Sequence, residues 1–269
     1  MRASANAFVV DGFYHRTAGA TFEATDATTS PWDQCFQHAG PPLALIARIV
    51  DERFANDAMR MGRVTLDIFG PIPKVDLTIE TQVLRPGKRI ELIEARLRSG
   101  GKDVLVASVW RFAVLRGVEL PASVRSATRA GPPGPEARIE MWDGSNGYFR
   151  AFEWRAERGS PREFGPAAVW CRTDLPLITG EPPVPRDTLL ALADSANGVS
   201  LELPLESWLS IPASVTLTLA RDPVGEWVSL DANTLIGPDG RGLTTGILGD
   251  RDGVAGNIVQ ALLVSPRTR

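Results

Sequence analysis

Apolar and polar positions alternate in four stretches of the first half of the chain: Arg63–Phe69 (RVTLDIF), Asp76–Leu84 (DLTIETQVL), Ile90–Arg98 (IELIEARLR) and Val104–Leu115 (VLVASVWRFAVL). A period of two with β-branched enrichment, punctuated by Pro71, Pro86-Gly87 and Gly100-Gly101, predicts a run of antiparallel strands. Ahead of them, Pro41–Phe54 (PPLALIARIVDERF) sets Leu43, Ile46, Ala47 and Val50 at helical spacing behind two prolines. That spacing predicts one buried amphipathic helix. Residues 116–138 carry the GPPGP cluster and almost no apolar period, as a linker does.

The same order returns after the linker. Arg186–Ala193 (RDTLLALA) reads as a helix, and Ser214–Leu219, Glu226–Thr234, Gly242–Leu248 and Ile258–Val264 read as strands. VTLD at Val64–Asp67 matches VTLT at Val215–Thr218, TQVLRPGKR at Thr81–Arg89 matches NTLIGPDGR at Asn233–Arg241, and VWRFAV at Val109–Val114 matches VQALLV at Val259–Val264, each about 150 residues apart. An internal duplication accounts for these matches more simply than a chance likeness of two β-meanders. The expected units are residues 1–115, a linker at 116–138, and residues 139–269. Each is an α+β unit in which a curved antiparallel sheet wraps one helix, and two such units can join sheets edge to edge as a double hot dog. In that arrangement Gln260 corresponds to Trp110.

Composition narrows the partners. The net charge of −3, with Arg scattered among acidic residues, provides no basic stripe for nucleic acid. Apolar runs such as Pro41–Ala47 are far too short for a membrane span, and the N-terminus lacks the pattern of a signal peptide, so a cytoplasmic protein is expected. Cys35 and Cys171 have no partner at metal-ligand spacing and are expected to be small packed residues. With only His15 and His38 in the chain, a His-rich metal site is excluded; no metal or other cofactor is expected, and any Ser-His-Asp triad must use one of those two.

Several motifs, in order, resemble the double hot-dog acyl-CoA thioesterases of the type II class, particularly their shorter bacterial relatives. They are Gln37-His38-Ala39-Gly40-Pro41-Pro42 before LALIAR, then Val169-Trp170-Cys171-Arg172, Ala193-Asp194-Ser195-Ala196-Asn197-Gly198, Gly225–Ala232, and Asp252-Gly253 with Gln260 before LLV. The resemblance covers nearly the whole chain. It implies hydrolysis of an acyl-CoA or related acyl thioester by a water held between an Asp on the second helix, a hydroxyl on the following strand and a Gln on the last strand. Asp194 and Gln260 fall at the first and last of these places. The hydroxyl place falls on Ala213, or on Ser214 after a slip of one residue.

The residues themselves leave alternatives open. Asp194 ends an apolar helix, where the helix dipole disfavours its charge; it is either a general base of raised pKa or a turn residue before Asn197-Gly198. Gln260 is either buried against the helix and in need of partners or on a solvated sheet face. Ser214, Thr216 and Thr218 share one strand face, and strand hydroxyls more often serve packing than catalysis. His38 and the Gly40 amide, at a helix start, are candidate substrate-binding groups, or else they pack and cap. The tryptophans after the linker, Trp142, Trp154, Trp170, Trp208 and Trp227, either wall an acyl channel or fill the core. The rival function is a non-catalytic acyl-binding protein. Because two fused units leave their outer sheet edges open, self-association is expected.

Overall fold

A computed structural model describes residues 10–121, 131–141 and 146–267. Its strands are β1 (Tyr14–Ala18), β2 (Thr21–Ala24), β3 (Met59–Ile68), β4 (Leu77–Arg85), β5 (Ile90–Ser99), β6 (Lys102–Ala113), β7 (Arg138–Ile139), β8 (Glu153–Arg158), β9 (Ala167–Arg172), β10 (Trp208–Leu219), β11 (Val228–Ile236), β12 (Arg241–Asp250) and β13 (Gly253–Pro266). They form one sheet in the order β1-β2-β4-β5-β6-β3-β10-β13-β12-β11-β9-β8-β7. The two halves repeat each other across the β3–β10 seam, which makes the chain a double hot dog of α+β class.

The helices are α1 (Gly40–Arg53), α2 (Gly147–Arg150), α3 (Pro185–Ala193) and α4 (Ala196–Val199). α1 packs on β3, β4 and β5, α3 and α4 on the sheet of the second half, and α1 also packs along α3. Enclosed in this way, α1 is buried on almost every side, so its only polar residue within the core stretch, Arg48, is ion-paired with Glu181 at 2.8 Å and with Asp187. Leu43, Leu45 and Ile46 are fully buried. Each contributes about 1.5–3 kcal/mol by leaving water.

At the seam, β3 and β10 run antiparallel with Thr65 opposite Thr216, their hydroxyls 3.1 Å apart. One offset of 151 residues relates Thr65 to Thr216, and the same step carries Val64 to Val215. Val64 pairs with Val109 on β6, and Val215 pairs with Gln260 on β13. The counterpart of Gln260 is therefore Val109, one residue from the expected Trp110. Val109 and Gln260 both face the helices and are fully buried, whereas Trp110 lies half-exposed with Arg85 against its ring.

Other expectations also change. Within the expected linker, residues 122–130 lie outside the described residues, and its end already belongs to the fold, as a turn of 3-10 helix at Pro135–Ala137 leading into β7. Cys171 is buried as expected but Cys35 is exposed. Trp154 and Trp170 fill the core, and Trp142 lies outside the described residues.

Candidate active site

The second helix does not run through. After α3 the chain tightens, with the Ser195 N–H bonding Leu192 O at 2.8 Å in place of Ala191 O, and α4 resumes at Ala196. Asp194 occupies this break, only 3% exposed. A break in a buried helix strands backbone groups, and each needs a partner. Ala191 O accepts from the Tyr148 hydroxyl at 2.8 Å. Asp194 O accepts from Gln260 Nε2 at 3.1 Å, and the Asn197 N–H donates to Gln260 Oε1 at 3.0 Å. Gln260 Nε2 also donates to Asp194 Oδ1 at 2.8 Å. The buried amide is thus fully used, and the carboxyl is fixed by the same side chain that closes the helix break.

The other carboxyl oxygen faces the first half. Asp194 Oδ2 lies 3.3 Å from His38 Nδ1, and the Gly40 N–H donates to that same nitrogen at 3.1 Å. Nδ1 is therefore an acceptor, and the neutral ring carries its proton on Nε2. Burial pushes Asp194 up to about 7, against the lowering effect of the Gln260 and Ala39 hydrogen bonds, and pushes His38 down to about 3. Both shifts favour one state, in which a neutral carboxyl faces an uncharged imidazole. When the carboxyl ionises, Oδ2 meets the Nδ1 lone pair, which makes it a better proton acceptor.

Gly40 departs from its expected role. Its amide is aimed at His38, Pro41 and Pro42 have none, and the Leu43 N–H bonds Ala39 O, so this helix start offers no vacant donor from these residues. Gly40 is required for a different reason: a Cβ there would run into the carbonyl oxygen of Ala191 on α3. The absence of a side chain lets the two helices approach closely enough to bring His38 to Asp194.

Ser214 is not brought to this site. A bulge between Pro212 and Ser214 leaves Ala213 lining the pocket, while Ser214 turns outward and donates to Leu66 O at 3.0 Å. Thr216, likewise outward, meets Thr65 at the seam. Three contributors were not legible as site residues: Tyr148, whose ring stacks on His38; Ser195, whose hydroxyl lies 2.7 Å from that of Tyr148; and Asn197, which read as a turn residue. The motif ADSANG carried the last two, but nothing in the sequence pointed to Tyr148.

Asp194, Ser195, Asn197 and His38 line a pocket of about 360 Å³ whose other walls include Trp32, Phe36, Ile68, Ile72, Phe149 and Leu263. It is an apolar chamber with one carboxyl and one imidazole at its polar end. Of the tryptophans expected to wall a channel, none after the linker lines it among the described residues; Trp32 does. Among the described residues there is no cluster of His, Cys, Asp and Glu able to hold a metal ion.

Solved structures with this architecture include a hot-dog protein of Alicyclobacillus acidocaldarius (16% identity, TM-score 0.73, covering 96% of this chain and 97% of that one). They also include the tesB protein of Mycobacterium avium subspecies paratuberculosis (15%, 0.67, 94% and 96%) and the acyl-CoA thioesterase II TesB2 of Mycobacterium marinum (13%, 0.65, 95% and 95%). At such identities they establish the fold. No curated protein matches the chain in sequence. The family models are more specific: the acyl-CoA thioesterase N-terminal domain matches residues 28–112 and the C-terminal domain residues 123–264. The chain belongs to the acyl-CoA thioesterase family and is a thioester hydrolase. No helix among the described residues is long and apolar enough to cross a membrane.

Proposed function

We propose that the protein hydrolyses acyl-CoA, or a closely related acyl thioester, to the free acid and thiol, with Asp194 as general base, Gln260 as its positioning partner and His38 as the group that meets the substrate carbonyl. The observation that supports this reading is the Asp194 carboxyl at the polar end of an apolar pocket, held by Gln260 on one oxygen and facing His38 on the other. The acyl chain occupies the apolar chamber. Ionised Asp194 takes a proton from water as that water attacks the thioester carbonyl, and the new O–H then donates to His38 Nδ1. The Nε2–H of the neutral imidazole stabilises the oxyanion. Collapse of the tetrahedral intermediate breaks the C–S bond, and the proton held by Asp194 returns to the departing thiolate. Atoms balance as acyl thioester plus water giving acid plus thiol.

The absence of a hydroxyl at Ala213 favours a second reading, a pocket that binds acyl groups without turnover. Release of free thiol from acyl-CoAs of graded chain length separates the two. Turnover by the wild type that Asp194→Asn suppresses supports hydrolysis; binding without thiol release supports the second reading.

A further inference from the structure

Tyr148 touches His38 and the chain on either side of Asp194. Its ring lies parallel to that of His38, centroids 3.9 Å apart and planes within 5°. Its hydroxyl bonds Ala191 O and the Ser195 hydroxyl, the two positions that bracket the helix break at Asp194. The ring is itself confined by the edges of Phe149, Phe152 and Trp154, with centroids at 5.4, 5.1 and 6.5 Å. α2, which carries it, is tied to the first half, since Asn146 Nδ2 donates to Ser30 O at 3.0 Å and a Cβ on Gly147 would run into Asp26 O.

We propose that Tyr148 is the positioning residue of the site, clamping the His38 imidazole by its face and fixing the Asp194 carboxyl by replacing the hydrogen bond that the broken helix gives up at Ala191. This rests on the hydrolysis reading for its consequence in turnover, but not for its consequence in geometry. A stacked ring can slide and rotate unless its far end is anchored, and the hydroxyl is that anchor. Without it, Ala191 O is a buried acceptor with no donor. The break then relaxes, water reaches the carboxyl, and the desolvation that raises Asp194 is reduced. The titratable groups facing one another here are Asp194, His38, Tyr148 and, behind Tyr148, the buried thiol of Cys171. Burial holds the Tyr148 phenol and the Cys171 thiol well above neutrality, so neither confuses a titration near pH 7.

The chain has two histidines, so imidazole NMR reads His38 directly with His15 as an internal control. In the wild type the His38 resonance is displaced by the Tyr148 ring and shows an inflection near pH 7 as Asp194 ionises. In Tyr148→Phe the ring displacement is reduced and the inflection moves to lower pH; in Tyr148→Leu the displacement is lost altogether. With acyl-CoA, Tyr148→Phe is expected to lower kcat roughly tenfold or more with KM within about twofold, since misplacement of a catalytic group is costly. Ser195→Ala, which removes only one of the two anchors, moves the inflection in the same direction by less and serves if Tyr148→Phe fails to fold. A folded variant whose inflection stays in place overturns the proposal. Absence of thiol release by the wild type would instead overturn the hydrolysis reading and leave the NMR outcome standing on its own.

Discussion

Gln260 reaches Asp194 twice, once at the backbone carbonyl and once at the carboxyl, from a strand 66 residues further along the chain. A single primary amide thereby ties the shape of a helix break to the orientation of a titratable group. Each of the two residues serves structure and chemistry at once, and variants at the two positions have different signatures.

Asp194→Asn removes the proton acceptor while keeping both contacts: the Asn carbonyl accepts from Gln260 and its amide donates to His38 Nδ1. A fall of roughly a hundredfold or more in kcat with little change in acyl binding is expected. Steady-state thiol release and equilibrium binding of a non-hydrolysable acyl-CoA measure the two quantities, and undiminished kcat would remove Asp194 from the role of base.

Activity in the wild type should rise with pH through about 7, the value to which burial lifts Asp194, because the proposed base works in its ionised form. Stability should follow a different course. Between pH 3.8 and about 7 the folded chain keeps a proton on Asp194 that the unfolded chain has lost, so this contribution falls as pH rises. Between about 3 and 6.5 the unfolded chain binds a proton on His38 that the folded chain excludes, so this contribution rises with pH. The two slopes oppose each other across their shared window. Asp194→Asn removes the first, so the variant should gain stability steadily from pH 4 to 6.5 and exceed the wild type above pH 7, as thermal melts across that range would record.

Gln260→Leu has nearly the right shape and no polar atoms, and it leaves the Asn197 N–H and Asp194 O without partners. A loss of about 3 kcal/mol is expected from two stranded buried groups. Urea unfolding measures it; a loss below about 1 kcal/mol would mean that the break finds other partners.

Gly40→Ala forces a methyl group against the Ala191 carbonyl. The helices must separate, costing about 1–3 kcal/mol. They carry His38 away from Asp194, so thiol release should fall further than the folded fraction does. Ser214→Ala, by contrast, loses one bond to Leu66 O on the outer face, worth about 1 kcal/mol, and should leave kcat within about twofold.

The sheet of the second half bears an outward apolar cluster, with exposed Leu235 opposite Leu243, Leu243 opposite Ala261, and Ile247 and Val259 nearby. Association of two copies through this face is expected to give a mass well above 29.1 kDa by light scattering, and Leu243→Lys to reduce it. A wild-type mass near 29.1 kDa at high concentration would count against it.

Much of the fold was legible because its inner strands have one buried and one solvated face, so Val64, Leu66, Val215 and Leu217 alternate with polar neighbours. β9 was not, since Ala167–Cys171 is buried on both faces and has no period. Asp194 and Gln260 were legible through the resemblance to the type II thioesterases; a polar group in an apolar run, taken alone, left a turn role open for Asp194 and a solvated sheet face open for Gln260. The alternation that buries Val215 and Leu217 already sets Ser214 and Thr216 on the outer face; what the pattern did not show is the bulge that brings Ala213 to the pocket, since a bulge changes which side of a strand a residue occupies without changing composition. Tyr148 gave no signal because its stacking on His38 and its hydroxyl bonds to Ala191 and Ser195 join residues far apart in the chain.

The seam at Thr65 and Thr216 joins two copies that one chain can edit separately. In a pair of identical subunits, the position of Val109 and that of Gln260 would be one codon, and every change made for chemistry would be made twice. Here the second copy supplies the carboxyl and the amide, while the first keeps a valine and contributes His38, Trp32 and Phe36 to the chamber. Fusion has turned a symmetric partnership into a division of labour, with one candidate reaction centre, among the described residues, in each pair of copies.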